Sequence, residues 1–339
     1  MKRPWLSVLI PAHNPGIYLA EALDSVLGQV DDQVEVLVFD DASTDGTADL
    51  VAQRVAAAGR VGSQLRLLPS DGATALGVSA ARNALLEAAQ GQWLWFLDAD
   101  DRLRPHALAR VRSLVESEPG LQAIVVDHAV LRVRATLKHR LRGEGHRRSM
   151  QGPGGAVRPP ATLMPRLLAR GQWHVWGKVV RRDAWPAALR FPAGRVFEDL
   201  SVVPRLMGGL HPVWYLDTPL VDYRSNPSSI LGSMNVRKLQ DWARALEDLV
   251  DHPGFDRHWA DFVVQQALRL RQVEQRLGAR LDERDAWWAL LCRRQPLLQP
   301  ILKGWVFRPR RWVSWLKARG CGWTQADHGH GKGSTGGQA

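Results

Sequence analysis

Five short β-type runs alternate with helical patterns between residues 5 and 126, and this alternation restricts the fold more than any other feature of the chain. The runs are LSVLI, VEVLVF, LRLLP, WLWFL and LQAIVV, and amphipathic segments separate them. Strands that alternate with helices predict a mostly parallel sheet that helices cover on both faces. We therefore predict an α/β fold for this part of the chain.

Polar segments follow three of the predicted strands: PAHN, DDASTDGT and DADD. In open α/β sheets, ligands bind outside the carboxyl ends of the strands, so we expect these segments to converge on one crevice. The segment DADD places Asp98, Asp100 and Asp101 close together. Clustered carboxylates repel one another unless a cation or a donor neutralises them, and two Asp separated by one residue can face one divalent ion. An isolated D-x-D is more often a solvated acidic turn, so the surrounding motifs must decide.

Two further acidic positions have a functional and a structural interpretation. Asp41 follows the second predicted strand, where a carboxylate can accept a hydrogen bond from a nucleobase or a ribose hydroxyl. Glu198 and Asp199 are adjacent acids at a predicted helix start. The helix dipole alone favours acids at that position, so the pair by itself does not identify a catalytic base.

The excess of positive charge in the chain is localised in two segments. Lys and Arg number 45 against 34 Asp and Glu, a net charge of +11, and residues 132–148 and 293–319 account for all of the excess. The second segment interleaves aromatic and basic residues, which suits an anionic membrane surface. A solvated helix that packs its tryptophan face on the domain is the alternative interpretation. The crevice expected in the first half argues against nucleic acid as the partner.

The rest of the chain gives weaker signals about organisation and compartment. Apolar positions recur at helical spacing from residue 235 to about 292, and the segment 321–339 has a disordered composition. Cys292 and Cys321 lie in no disulfide or zinc pattern, which favours a reducing compartment. No apolar stretch approaches the roughly 18 to 20 residues of a membrane-spanning helix, so we predict a soluble or peripheral protein.

Taken in order, SVLIPAHN, VLVFDDASTDGT and GVSAARNALLEAAQGQWLWFLDADD resemble the nucleotide-sugar-binding half of family 2 glycosyltransferases with the GT-A fold. A weaker resemblance continues through WGKVVRRDAW, VFEDLSVVPRL and DYRSNPSSI to about residue 232. The resemblance implies a GT-A catalytic domain over 1–232, with a nucleotide-sugar half over 1–126 and an acceptor half over 127–232. A helical, basic region over 233–320 would follow it.

The resemblance also implies residue roles. The donor would contact the loops after the strands, and Mn²⁺ or Mg²⁺ would bind Asp98 and Asp100. Asp199 would be the general base with Glu198 beside it, and Trp176 and Lys178 would contact the acceptor. The implied donor contacts are Pro11, Ala12, His13, Asn14, Asp41, Arg82, Asp98, Arg224 and Ser229. The family usually has an aromatic residue where His13 stands, so base stacking is not predicted there.

These assignments predict a cytoplasmic, metal-dependent, inverting glycosyltransferase at the inner face of the cell membrane. It would move a sugar from a nucleotide sugar, a UDP-sugar in the first instance, to a glycan or lipid-linked saccharide of a bacterial surface polysaccharide. Two alternatives remain at this stage. A nucleotidyltransferase could use a similar sheet and metal site, and a nucleotide- or glycan-binding protein would need no catalytic base.

Overall fold

The computed structural model describes residues 3–57, 64–70, 72, 74–132, 145–225, 234–278 and 284–306. Within these residues one sheet contains ten strands in the order β3-β2-β1-β4-β9-β6-β10-β5, with β7 paired to β6 and β8 to β10. The strands are β1 Leu6–Ala12, β2 Val34–Asp40, β3 Leu65–Pro69, β4 Trp93–Phe96, β5 Arg102–Leu103, β6 Ala123–Arg132, β7 His146–Arg147, β8 Gly155–Ala156, β9 Lys178–Arg181 and β10 Val213–Ser225.

The helices alternate with the strands in the first half and dominate after residue 234. They are α1 Tyr18–Leu27, α2 Thr47–Ala57, α3 Val78–Ala88, α4 Ala107–Ser117, α5 Leu163–Leu168, α6 Glu198–Gly208, α7 Val236–Val250, α8 Arg257–Leu277, α9 Arg284–Arg294 and α10 Leu298–Val306. All five strands predicted from the apolar runs are present, which confirms the α/β prediction.

The central position of β1 explains its apolar sequence. It pairs in parallel with β2 on one side and β4 on the other, and all seven of its residues are buried. A strand that is covered on both faces reads as a continuous apolar run rather than as an alternation of apolar and polar residues. The carboxyl ends of β1, β2 and β4 therefore lie side by side at one edge of the sheet.

One reversed strand connects the two halves of the sheet. β9 runs antiparallel to β4 and to β6, whereas β6 and β10 run parallel to each other. A 3₁₀ turn, Val175–Gly177, immediately precedes β9. Because β9 runs against its neighbours, its amino end lies beside the carboxyl end of β4, where the DADD segment begins, and pairs with Val125 of β6 on its other side.

Helices α7 and α8 begin at side-chain caps, where Asn235 accepts from the Lys238 amide and Asp256 from the His258 and Trp259 amides. The helical spacing noted after residue 235 is thus confirmed. None of the described helices is long and apolar enough to cross a membrane. The basic residues after 306, the tail and the domain boundary at 232 to 233 fall wholly or partly outside the described residues, so these assignments stay predictions.

Candidate active site

The loops after β1 and β2 meet as the strand order requires. Asn14 accepts a hydrogen bond from the Thr44 amide at 2.7 Å, and the His13 Nδ1 atom lies 2.7 Å from the Asp41 carbonyl oxygen. Pro11 and Ala12 are buried in β1, whereas His13 and Asn14 are exposed. Asn14 and His13 are therefore the members of the PAHN segment that face the crevice opening.

Asp98, Asp100 and Asp101 follow β4 with carboxylate oxygens that all lie within 4.8 Å of one another. Burial, together with the charge of Asp98, raises the pKa of Asp100 to about 6. The same two causes raise the pKa of Asp101 well above its usual range. The Asp101 Oδ2 atom is buried and has no hydrogen-bond partner. A hard divalent cation would reduce the repulsion among the three carboxylates and would give the unpartnered Asp101 oxygen a partner. These carboxylates therefore fit Mn²⁺ or Mg²⁺.

Arg82 joins the DADD segment to the Glu198–Asp199 pair. From α3, its NH2 atom donates to Asp98 at 2.9 Å and its NH1 atom donates to Asp199 at 2.9 Å and to Glu198. The Arg82 side chain is only 3% exposed. Burial lowers the pKa of Arg82 because it disfavours the charged guanidinium. The nearby carboxylates of Asp199, Asp98 and Glu198 have a larger, opposite effect, so the pKa is raised overall. We call Asp98, Asp100, Asp101, Glu198 and Asp199 together the acidic crevice.

Asp199 lies in the first turn of α6, and the residue directly before this helix, Phe197, is strained. Phe197 has a φ of 62°, a left-handed conformation that is uncommon outside glycine, and its ring stacks on Trp242 at 5.3 Å. The Asp199 Oδ2 atom accepts from the Val175 amide at 3.2 Å. Burial raises the pKa of Asp199 to about 7, against the opposing effect of Arg82. A carboxylate with a pKa near neutrality is suited to accept a proton at physiological pH.

Lys178 lies beneath this part of the crevice. Its ammonium group donates to the carbonyl oxygens of Gln172 at 2.6 Å and His174 at 2.9 Å, both directly before the turn that bonds Asp199. Burial lowers the pKa of Lys178 to about 7. Lys178 and Trp176 are each only 1% exposed. This burial argues against the direct acceptor contact expected for these two residues, and it assigns Lys178 to holding the turn in place.

The carboxylate of Asp41 already accepts hydrogen bonds from the protein, which the sequence did not indicate. Its two carboxylate oxygens accept the backbone amides of Leu76 and Gly77, each at 2.7 Å. Gly77 has a φ of 93°, which favours glycine at this position. Asp41 thus anchors the start of α3, the helix of Arg82, and a contact with a base would use the remaining lone pairs of these oxygens.

Arg224 lies at the carboxyl end of β10 and closes the crevice on the other side. Its Nε atom donates to the Asp100 carbonyl at 2.8 Å, its backbone amide donates to Asp101 at 2.7 Å, and its NH2 atom donates to Glu21 at 2.6 Å. The guanidinium lies 4.5 Å from the centre of the Tyr18 ring. Ser229 lies outside the described residues.

Sequence reasoning missed the two rings that flank these charged groups. His174 and Tyr223 are half-buried beside the acidic crevice, and both stack against the buried ring of Trp176. Both rings stand in motifs that the sequence analysis considered, WHVWGK and DYR. We selected Trp176 from the first motif because tryptophan is the more familiar sugar contact. Which ring of a local cluster reaches the surface depends on the packing of β6, β9 and β10.

Comparisons with known proteins agree with this geometry. Residues 7–158 match the family described as Glycosyl transferase family 2. A structure of TarS from S. aureus, solved as residues 1–349 with UDP-GlcNAc, superposes with a TM-score of 0.62 at 17% identity, covering 83% of this chain and 78% of that one. The mannosyltransferase PcManGT from Pyrobaculum calidifontis, solved with GDP-Man and Mn²⁺, superposes with a TM-score of 0.51 at 17% identity, covering 94% and 85%.

A curated relative is TuaG of Bacillus subtilis, whose name provisionally assigns it to teichuronic acid biosynthesis as a glycosyltransferase. It is 35% identical over 108 residues, which is 32% of this chain and 40% of TuaG. Alignments to other curated relatives also span about a third of those relatives' length.

The fold is the GT-A fold of nucleotide-sugar glycosyltransferases, as the resemblance implied. The match to glycosyl transferase family 2 covers a little under half of the chain. The matched range includes Asp41, Arg82 and the DADD segment, whereas Glu198, Asp199 and Arg224 lie beyond it.

Proposed function

We propose that this protein is an inverting glycosyltransferase that moves a sugar from a nucleotide sugar to a hydroxyl group of a glycan or lipid-linked saccharide. One observation carries the proposal. The Arg82 guanidinium bonds both to Asp98 of the DADD segment and to Asp199, two acids that are 101 positions apart. A diphosphate site and a proton acceptor are therefore adjacent, as single displacement at an anomeric carbon requires.

Asp199 would act as the general base. Its carboxylate accepts the acceptor hydroxyl proton while that oxygen forms a bond to the anomeric carbon and the bond from this carbon to the diphosphate oxygen breaks. The bonds from Arg82 and Val175 hold the carboxylate in a fixed orientation. Attack from the side opposite the diphosphate inverts the anomeric configuration.

Asp98 and Asp100 would hold Mn²⁺ or Mg²⁺, with Asp101 beside them. The cation would act as a Lewis acid and neutralise charge on the departing diphosphate. Three observations support this part of the proposal: the 4.8 Å cluster of carboxylates, the raised pKa of Asp100 and the unsatisfied Asp101 oxygen. The Mn²⁺ in the PcManGT structure belongs to a protein of the same fold.

The donor is proposed to be a UDP-sugar that contacts His13, Asn14 and Asp41, with the sugar toward Asp199. The acceptor is proposed to be a growing bacterial surface polysaccharide, in line with the role that the name of TuaG suggests.

We further propose that the protein acts in the cytoplasm at an anionic membrane. The described part of the basic segment includes Arg293, Leu297 and Lys303. Leu297 is 43% exposed, and Leu290, just before the segment, is 38% exposed. Basic residues near apolar ones favour binding to anionic headgroups. Co-sedimentation with vesicles of phosphatidylglycerol, but not with vesicles of phosphatidylcholine, is expected. Equal recovery in the supernatant of both would contradict it.

Product analysis tests the catalytic proposal. The full chain is incubated with Mn²⁺, a membrane extract as the source of acceptors, and UDP-glucose, UDP-N-acetylglucosamine or GDP-mannose. Release of a nucleoside diphosphate that depends on the extract and stops with EDTA is expected. Release of a sugar 1-phosphate would instead indicate nucleotidyl transfer, and binding without turnover would indicate a binding protein.

A further inference from the structure

A layer of three nearly parallel rings forms one wall of the acidic crevice. The rings of His174 and Trp176 stack with centroids 4.7 Å apart and planes 7° apart, and those of Trp176 and Tyr223 with centroids 5.6 Å and planes 20° apart. His174 and Tyr223 are 5.8 Å from each other at 26°. We call these three rings the aromatic layer.

The members of the aromatic layer differ in exposure. Trp176 is 1% exposed and His128, which meets it edge-on at 4.8 Å and 84°, is 3% exposed. His174 and Tyr223 are half-buried and therefore reach the crevice. Trp176 and His128 thus support the layer from behind, and His174 and Tyr223 form its accessible part.

The accessible rings lie between the two ends of the proposed reaction. His174 precedes Val175, whose amide bonds Asp199, and its ring is close enough to feel the charge of Asp98. Tyr223 precedes Arg224, which bonds Asp100 and Asp101. A sugar attached to a diphosphate at Asp98 and attacked next to Asp199 would lie near these two rings.

We propose that His174 and Tyr223 form the platform on which the transferred sugar of the donor rests. This proposal depends on the proposed glycosyltransferase function and specifies which residues contact the transferred sugar. Aromatic faces pack against the apolar C–H face of a pyranose, and the tyrosine hydroxyl and the imidazole nitrogens can bond its hydroxyl groups. The two rings would therefore set sugar specificity without contacting the nucleotide.

The platform can be tested by comparing ligands with and without the sugar. The full chain is titrated calorimetrically in Mn²⁺ with UDP-glucose, UDP-N-acetylglucosamine and GDP-mannose, and with UDP and GDP as the sugar-free probes. For the sugar nucleotide that the wild type prefers, His174→Ala and Tyr223→Leu should each lower affinity by roughly three- to tenfold. Affinity for the matching nucleoside diphosphate should stay within about twofold, since the sugar-free probe does not reach the rings.

Two controls separate this role from a structural one. His174→Phe keeps a ring in the layer and should retain most of the preference for the sugar-bearing probe, and His258→Ala removes an exposed histidine of α8 and should change neither affinity. Equal losses for both probes would overturn the platform in favour of a purely structural layer. No loss for either probe would overturn it as well.

The wild-type protein gives a result that does not depend on how the variants fold. Saturation of aromatic protons in the NMR spectrum should transfer to the sugar ring protons of the bound donor as well as to its base. Transfer to the base alone would contradict the platform while leaving the glycosyltransferase proposal intact. Failure to bind any of the five nucleotides would instead reject the function on which the platform depends.

Discussion

The two acidic regions at the carboxyl edge of the sheet differ in how their carboxylates are satisfied. After β2, Asp40, Asp41 and Asp45 each accept at least one backbone amide, from Ser43 of the same loop, from Leu76 and from Gly16 respectively. In the acidic crevice, Asp98, Glu198 and Asp199 converge on Arg82, and the Asp101 Oδ2 and Glu198 Oε2 atoms are buried without a partner.

In the region after β2 the protein itself satisfies the carboxylates, whereas in the acidic crevice a bound ligand would have to satisfy some of them. Backbone amides hold the β2 acids in place and leave little for a ligand to neutralise. In the acidic crevice, burial and like charges raise the pKa values of Asp100 and Asp199 to about 6 and 7. Strongly shifted carboxylates in a cleft are typical of sites that bind or react.

The largest expected effect is on turnover in Asp199→Asn. An amide cannot accept the acceptor proton, so transfer should fall by about 10²- to 10⁴-fold. Donor affinity should change little, because the proposed mechanism uses Asp199 to accept the proton of the acceptor hydroxyl and not to hold the nucleotide. Initial rates of nucleoside diphosphate release and calorimetric donor titrations measure the two quantities.

Asp183→Asn is the matched control, since Asp183 is an exposed acid paired only with Arg181 among its described ion pairs. The acid limb of the wild-type rate profile should also have its midpoint near pH 7, because the carboxylate is competent only after it loses its proton. Normal transfer by Asp199→Asn, or a limb near pH 4, would remove Asp199 as the base.

The sequence allowed the five strands of the first half, the DADD segment at a strand end and the Glu198–Asp199 pair at a helix start to be predicted, because each depends on local pattern. It did not reveal that Arg82 would bind three acids, since two of these partners are 116 and 117 positions away. The reversed β9 was equally hidden. It places Lys178 and Trp176 inside the fold, where the motif WGK had suggested surface contacts.

The next effect in size concerns stability in Arg82→Met. Removing a buried cation leaves Asp98, Glu198 and Asp199 without compensation, and breaking such a network typically costs about 3–5 kcal/mol. The loss should be largest at pH 8 and smaller at pH 5, because protonation of the acids substitutes for the missing cation. Urea unfolding at both pH values measures it.

Arg110→Met provides the comparison, because Arg110 is exposed on α4. Arg82→Lys keeps the charge but cannot present the two donor nitrogens in the same geometry, so an intermediate loss is expected. A loss in Arg82→Met that is independent of pH would point to lost packing on Phe191, which lies 5.4 Å from the guanidinium, rather than to charge.

A smaller loss is expected for Asp41→Ala. The backbone amides of Leu76 and Gly77 would lose their acceptor. Both residues are exposed, so water can replace it, and a hydrogen bond in such a setting contributes about 0.5–1.5 kcal/mol. Asp41→Asn retains one acceptor oxygen and should lose less. Hydrogen exchange at the two amides should accelerate along with the fall in the free energy of unfolding. Unchanged exchange would show that Asp41 does not anchor this loop.

The smallest expected effect is the pH dependence of stabilisation by Mn²⁺. Without a cation, the raised pKa of Asp100 means that its contribution to stability is present below about pH 4 and is lost as the pH rises through about 6. A bound cation reverses this trend, because it prefers the ionised carboxylate. Below pH 6, each pH unit should therefore weaken the Mn²⁺ effect by up to about 1.4 kcal/mol.

Melting temperatures with Mn²⁺ and with EDTA, at pH 5 and pH 7.5, measure this dependence. The increase caused by Mn²⁺ should be larger at pH 7.5, should nearly disappear in Asp100→Asn, and should persist in Asp183→Asn. An increase of equal size at both pH values, or one that survives Asp100→Asn, would mean that Mn²⁺ binds elsewhere. In that case Arg82 and Arg224 alone would neutralise the carboxylates of the acidic crevice. The acidic crevice would then resemble the region after β2, whose acids need no ligand, despite its unpartnered oxygens.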